Sequence, residues 1–308
     1  MKGKIMWLSP PVIFEKALSF MSVWASYMRD YGWELVDDPD SADLLFFGSD
    51  SMLEPHLTIM DKPKIGYFWG FLHERLRDPE FREFAEYKMR MFKKCDVTLV
   101  PSLVTYYQAC DLGIEAELCL PGIDTKLYDS VPDQKRTDQV IYLSRFAECK
   151  LLDVLIKAVS LIKPQPTLLI AGAGDKQPYV ELASALGVKM TIGELTEEEK
   201  AVELKRSAVL VHPTIYGCYS TPPFEALYCG TPIIVSDIPV HHWLFRDTAI
   251  YTANEPMLAE AIMKVLDNPQ KALRRAERGR DLTKKIFTLD LACKRLEEYI
   301  LRVLKEHK

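Results

Sequence analysis

Two cations, Arg145 and Lys150, flank a loop that follows the apolar run QVIYL and precedes the amphipathic stretch LLDVLIKAVSLI. A strand-to-helix loop of this kind opens above the carboxyl edge of a parallel sheet, where ligands of such sheets bind. A diphosphate leaving group gathers negative charge on its bridging oxygen as its bond breaks. Fixed guanidinium and ammonium groups stabilise that charge without a metal. Two surface cations near a helix start would look the same taken alone.

Further along, Gly172 and Gly174 form a G-x-G after TLLIA, and Gly193 with Leu195 forms a second turn after KMTI. Glycine there admits close backbone approach to a ligand, although tight turns use it for geometry alone. The densest segment is VHPTIYGCYSTPPFEALYCGTP, residues 211–232. Ser220 or Thr221 is placed to cap a helix whose first turn holds Pro222 and Pro223. Its free N–H groups would make an anion site. Glu225, about a turn in, would either complement the helix dipole or accept hydrogen bonds from a ribose diol.

These residues need a scaffold, and the chain alternates accordingly. The runs KIMWLS, ADLLFFGS, KIGYFWG, VTLVPS and AELCLP are followed, after Pro121–Asp138, by QVIYLSRF, TLLIAG, VKMTIG, AVLVHPT and TPIIVS. Amphipathic stretches lie between them, with helical patterns beginning at Lys150, Pro178, Glu197 and Pro222, and nearly all of the chain from Glu255 is helical in pattern. Continuous apolar strands separated by helices predict parallel sheets covered on both faces. Pro121–Asp138 is polar and without periodicity, and reads as a linker. The expectation is an α/β chain of two Rossmann-like domains facing across a cleft, 1–133 and 134–287, with a last helix, 289–308, packing back on the first.

At 308 residues the chain has length for two such domains, and 48% hydrophobic with 27% charged residues excludes wholesale disorder. A net charge of -5 and a pI near 5.8 argue against nucleic acid as a partner. No apolar run approaches the ~20 residues that span a bilayer, and MKGKIMWLSPP reads as a first strand rather than a signal peptide. Seven scattered cysteines, never in a C-x-x-C pair, fit free thiols in a reducing cytoplasm better than a zinc cluster or disulfide framework.

The ordered set SRFxxxK, IAGAGD, TIGEL, HPTIYGCYSTPPFEALYCGTPIIVSDIP and EPMLAEAIMKVLDNP, reaching back to VPS at 100–102 and PGIDTKLY at 121–128, resembles the retaining GT-B glycosyltransferases of family four, the "group one" transferases. The likeness runs from about Cys95 to the C-terminus. It implies transfer of a sugar from a nucleotide-sugar donor to an acceptor hydroxyl, with retained anomeric configuration and no divalent metal or other cofactor. Arg145 and Lys150 would bind the diphosphate and Glu225 the ribose. The backbone from Gly217 and Cys218 through Tyr219, Ser220 and Thr221 would line the phosphate and sugar. The acceptor would be a glycan, a lipid-linked molecule or a small molecule.

The chain also departs from that pattern. The family's first Glu, eight positions before Glu225, is Gly217; the Gly-Phe-Gly after it is Cys218-Tyr219-Ser220; the Glu common after the IVSDIP-type turn is replaced near Trp243. The first-domain strand that commonly ends in a His ends in Trp69-Gly70, with His73 three residues on as the candidate polar group at the reacting centre, and the loop Ser9-Pro10-Pro11 lacks glycine. Either an unusual sugar is accepted or transfer is reduced, and a decayed, scaffolding subunit is the rival reading. His241-His242 cannot close a zinc site alone, and Asp37–Asp40 reads as a turn. The helix at 81–94, with five cations beside Phe81, Phe84, Met91 and Phe92, reads as a sheet-packed helix with a solvated basic face, with peripheral membrane contact as its second reading.

Overall fold

Each apolar run becomes a strand in the computed structural model, which describes residues 2–8, 20–48, 60–70, 79 and 82–307. His73, Ser9–Pro11 and Phe81 lie outside the described residues. Contacts divide the chain into 1–122 with 289–308, and 123–288.

The first unit holds β1 (Gly3–Leu8), β2 (Trp33–Val36), β3 (Leu44–Gly48), β4 (Lys64–Tyr67), β5 (Val97–Val100) and β6 (Ala116–Leu118), all parallel in the order β2-β1-β3-β4-β5-β6. Helices α1 (Phe20–Asp30), α2 (Arg82–Phe92) and α3 (Leu103–Asp111) belong to it. Asp38 accepts the backbone N–H groups of Asp40 (3.1 Å) and Ser41 (3.2 Å), so the acidic run is a turn. In α2 the side chain of Lys88 is fully buried, and Met91 and Phe92 sit in the core. Two of the apolar side chains a lipid surface would need are therefore spent inside the protein.

The second unit begins with α4 (Thr125–Ser130), followed by β7 (Val140–Leu143), α5 (Leu152–Ser160), β8 (Leu168–Ala171), α6 (Gln177–Leu186), β9 (Met190–Gly193), α7 (Glu197–Arg206), β10 (Val209–His212), α8 (Thr221–Tyr228), β11 (Ile233–Ser236), α9 (Pro239–Phe245), β12 (Ile250–Thr252), α10 (Glu255–Asp267) and α11 (Pro269–Ile286). Its sheet is parallel in the order β12-β11-β10-β7-β8-β9. The strands β7, β8, β10 and β11 are buried throughout, as a sheet covered on both faces requires.

The expected linker is corrected by the structure. Within it, Asp124 caps α4 by accepting Lys126 N–H (3.0 Å), and α4 packs on α7 and α8. Arg136 then donates to the carbonyls of Ser207 (2.7 Å), Cys229 (3.1 Å) and Gly230 (2.8 Å), just past the ends of α7 and α8. The division therefore falls at Gly122/Ile123 and not near 133.

The last helix, α12 (Leu289–Glu306), joins the first unit's core through Leu289, Ala292, Cys293, Leu296, Ile300 and Val303. Glu297 accepts from Lys2 (2.8 Å) and from the Trp33 indole (2.8 Å), tying α12 to the start of the sheet. The seven cysteines are all free thiols.

Candidate active site

In the second sheet the chain runs outward from β7 to β8 and β9, then returns to place β10 on the other side of β7. The β7/β10 boundary is thus the topological switch point, where the loops after the two strands diverge and leave a crevice at the carboxyl edge. The loop after β7 carries Arg145 and Lys150; the loop after β10 carries 213–220.

The two loops are joined by hydrogen bonds. Ile215 N–H donates to Cys149 O (3.0 Å), and the Thr214 hydroxyl lies 2.9 Å from Cys149 O and 2.8 Å from Tyr216 O. Thr214 N–H donates in turn to Ser236 Oγ (2.7 Å) at the end of β11. From inside β7, Tyr142 donates its hydroxyl to Lys150 O (3.3 Å). Immediately after Lys150, Leu151 is held at φ 45°, a left-handed conformation costly for a branched side chain and characteristic of functional turns. Arg145 is exposed and Lys150 half-buried. Burial, with the Arg145 cation beside it, pushes the Lys150 pKa down, opposed by the Cys149 and Cys218 thiols.

The glycine turns divide into two kinds. A Cβ on Gly172 would lie 1.8 Å from Ser144 O, and Gly174 sits at φ +127° against Phe146. Both are therefore required by the seat of the Arg145 loop itself, which is closed by Phe146 N–H donating to Ala173 O (2.8 Å). Gly193 and Gly217 have open space where a Cβ would stand. Of the residues proposed to face a donor, Cys218 is buried, and Tyr219 stacks on Phe224 (5.1 Å, 16°), so the Tyr219 ring faces inward.

The helix α8 does not start as expected. Ser220 is its N-cap but makes no side-chain capping bond. A cap accepts from the second or third helical residue, here Pro222 and Pro223, which have no N–H to give. The Ser220 hydroxyl instead meets His212 Nε2 at 3.1 Å. His212 ends β10, is buried, and has its pKa driven well down by burial and by Lys150. His241 lies 6.1 Å from it ring to ring, gives its Nδ1 proton to Ser236 O (2.9 Å), and has its pKa lowered to about 4, mainly by burial. His242 is paired with Asp237 (2.5 Å). Among the described residues no cluster of three His, Cys, Asp or Glu is placed to hold a metal.

Glu225 is buried and paired with Lys200 Nζ at 3.2 Å, while Lys200 also meets Glu197 at 2.5 Å. The Tyr128 hydroxyl bonds to Glu225, and burial with that carboxylate raises its pKa well above 10.0. Lys200, Tyr128 and His212 were not singled out by sequence reasoning. The signal for His212 was a polar residue closing an apolar strand; for Lys200, whose partner is 25 positions away, there was none.

A family model, described as glycosyl transferases group 1, matches residues 126–282. The chain is 25% identical over 178 residues to the MMP alpha-(1->4)-mannosyltransferase of Mycolicibacterium hassiacum, a match covering 54% of this chain and 43% of that protein. The chain therefore spans less than half of that relative's length. Among solved structures, sucrose-phosphate synthase from Thermosynechococcus elongatus superposes with a TM-score of 0.73 at 18% identity, covering 92% of this chain and 77% of that one. HepE from Anabaena in complex with UDP-glucose gives 0.76 at 14% identity, covering 97% and 100%. These likenesses show the fold, a GT-B fold of two Rossmann-like α/β units.

Proposed function

The chain belongs to the glycosyl transferases of group 1, and on that footing we propose that it moves a sugar from a nucleoside-diphosphate-sugar donor to an acceptor hydroxyl, with retention and without a divalent metal. The observation that supports this reading most is the joining of the Arg145–Lys150 loop to the 213–220 loop at the switch point of the second sheet. HepE is described with UDP-glucose bound and the mycobacterial relative as a mannosyltransferase, which makes a hexose the first sugar class to try.

In this reading the diphosphate lies against Arg145 and Lys150, whose charges oppose the build-up on the bridging oxygen as the sugar leaves. The acceptor hydroxyl attacks from the face the leaving group vacates, and the departing phosphate takes its proton. No enzyme nucleophile is then needed. Glu225, with one oxygen on Lys200, would offer its other oxygen to the ribose diol. The acceptor class, a glycan, a lipid-linked molecule or a small molecule, is set by the first unit.

The test is calorimetric titration with uridine, guanosine, adenosine and thymidine diphosphates in the presence of a chelator, followed by anomeric analysis of the product made from the sugar donor of the preferred base. Preferential binding of one diphosphate and a product of unchanged anomeric configuration are expected. Absence of binding to all four would overturn the donor site, and an inverted product the retaining mode.

A further inference from the structure

We propose that His212 is a positioning residue that holds the Ser220 hydroxyl as a hydrogen-bond donor to the diphosphate of the sugar donor; the inference rests on the donor reading above. Its starting point is a shortage of donors. Of the first four residues of α8, Thr221, Pro222, Pro223 and Phe224, the prolines have no N–H, and Phe224 is the first whose N–H has a carbonyl four residues back to bond. The helix start therefore presents the amides of Ser220 and Thr221 only, two fewer than a helix start without prolines. The same prolines release the Ser220 hydroxyl from capping, so a side-chain donor becomes available where backbone donors are lost.

What that hydroxyl does depends on which nitrogen of His212 carries the proton. Nε2 is 3.1 Å from Ser220 Oγ. Nδ1 is buried with no partner among the described residues, and the residue is 2% exposed. With the proton on Nδ1, a buried N–H would be stranded without an acceptor, and Ser220 would spend its own proton on Nε2. With the proton on Nε2, only a lone pair is stranded, the smaller loss for a buried ring nitrogen. Nε2–H then donates to Ser220 Oγ, and the Ser220 O–H keeps its proton for a ligand oxygen. Lys150 marks the charge of that ligand as negative. Burial and Lys150 hold the ring neutral, so the arrangement does not alter across neutral pH.

In the pattern that the sequence resembles, position 220 is usually glycine, which carries no hydroxyl. The Ser220–His212 pair is an addition to that pattern.

The experiment titrates the parent, Ser220→Ala, His212→Leu, His212→Gln and the double variant S220A/H212L with the nucleoside diphosphate the parent prefers, and with inorganic pyrophosphate as a probe free of base and ribose. Ser220→Ala and His212→Leu should each weaken both ligands by about tenfold or more, the usual size of a hydrogen bond to a charged group. The double variant should be no weaker than either single, because both remove one contact. His212→Gln, which returns an N–H near the place of Nε2, should restore binding to within about threefold. In 15N-histidine spectra of the parent, His212 should show protonated Nε2 and bare Nδ1. Unchanged binding by Ser220→Ala, whose fold does not depend on a capping bond, overturns the proposal, as do losses that multiply in the double variant or a proton on Nδ1. A parent that binds neither diphosphate nor pyrophosphate removes the donor reading, and this inference with it.

Discussion

Lys200→Met tests how Glu225 is held. Both side chains of the pair are largely enclosed, at 16% and 11% exposure, and they meet at 3.2 Å. Removing the ammonium leaves the carboxylate with the Tyr128 hydroxyl alone, in a site built for an ion pair. Breaking a buried pair on one side costs about 3–5 kcal/mol, and the residual exposure argues for the lower end, about 3 kcal/mol. For a unit of the size of residues 123–288, each kcal/mol moves the melting temperature by about 2–4 °C, so a fall of about 6–12 °C is expected. Burial alone would lower the Lys200 pKa, but Glu225 and Glu197 outweigh it and raise it above 10.5. A raised lysine pKa gives stabilisation that is complete below the unfolded value and is lost only as pH climbs through the folded one. The gap between parent and variant should therefore be constant from pH 6 to 9 by scanning calorimetry. Adding Glu225→Gln to Lys200→Met removes the stranded charge and should recover most of the loss, to within about 1 kcal/mol. In binding, Lys200→Met should reduce the preference for ribose over 2′-deoxyribose diphosphates while leaving pyrophosphate affinity alone. A variant melting within about 2 °C of the parent, or one that the second substitution does not rescue, would refute the reasoning.

Arg145→Ala and Lys150→Ala should each reduce diphosphate affinity and lower turnover by orders of magnitude, in proportion to the lost electrostatic stabilisation; unchanged constants in both would dispose of the phosphate assignment. Because burial lowers the Lys150 pKa, diphosphate affinity should fall as pH rises through a value below 10.5, and Lys150→Arg should abolish that alkaline limb. Gly172→Ala puts a methyl 1.8 Å from Ser144 O and should cost about 3 kcal/mol or more, whereas Gly193→Ala, with open space, should leave the melting temperature alone. A Cβ at Gly217 likewise meets nothing within 4 Å, so Gly217→Glu should alter sugar turnover more than diphosphate affinity; the reverse pattern would place position 217 at the phosphate.

Strands were legible because buried parallel strands are continuous apolar runs, and β7, β8, β10 and β11 are buried along their whole length. Trp33–Val36 and Ile250–Thr252 escaped notice because polar residues break both sequences and most of their side chains are only half-buried, so neither makes a continuous apolar run. The helix Thr125–Ser130 hid in the supposed linker because its six residues complete fewer than two turns, so no periodicity forms. At the site, Arg145, Lys150 and Glu225 were marked by their positions beside strand ends and helix starts. The Ser220 cap was misread because capping preference was applied without asking which amides the next residues possess. Lys200 and Tyr128 could not be read, since their role exists only once α4, α7 and α8 pack together.

Among the positions at which the loop after β10 differs from the pattern it resembles, 217 and 220 act in opposite senses. Glycine at 217 omits a carboxylate and leaves open space; serine at 220 adds a hydroxyl fastened to His212. Without that carboxylate the sugar end of a donor loses a partner, while Arg145 and Lys150 at the phosphate end are kept. The imidazoles of His212 and His241 stay neutral because a further cation, buried beside Lys150, would lack both solvent and a counter-ion. The two imidazoles thereby add no charge to that of Arg145 and Lys150. In the proposed reading the second unit is thus committed to the diphosphate and permissive towards the sugar, and discrimination among sugars has to come from outside this loop.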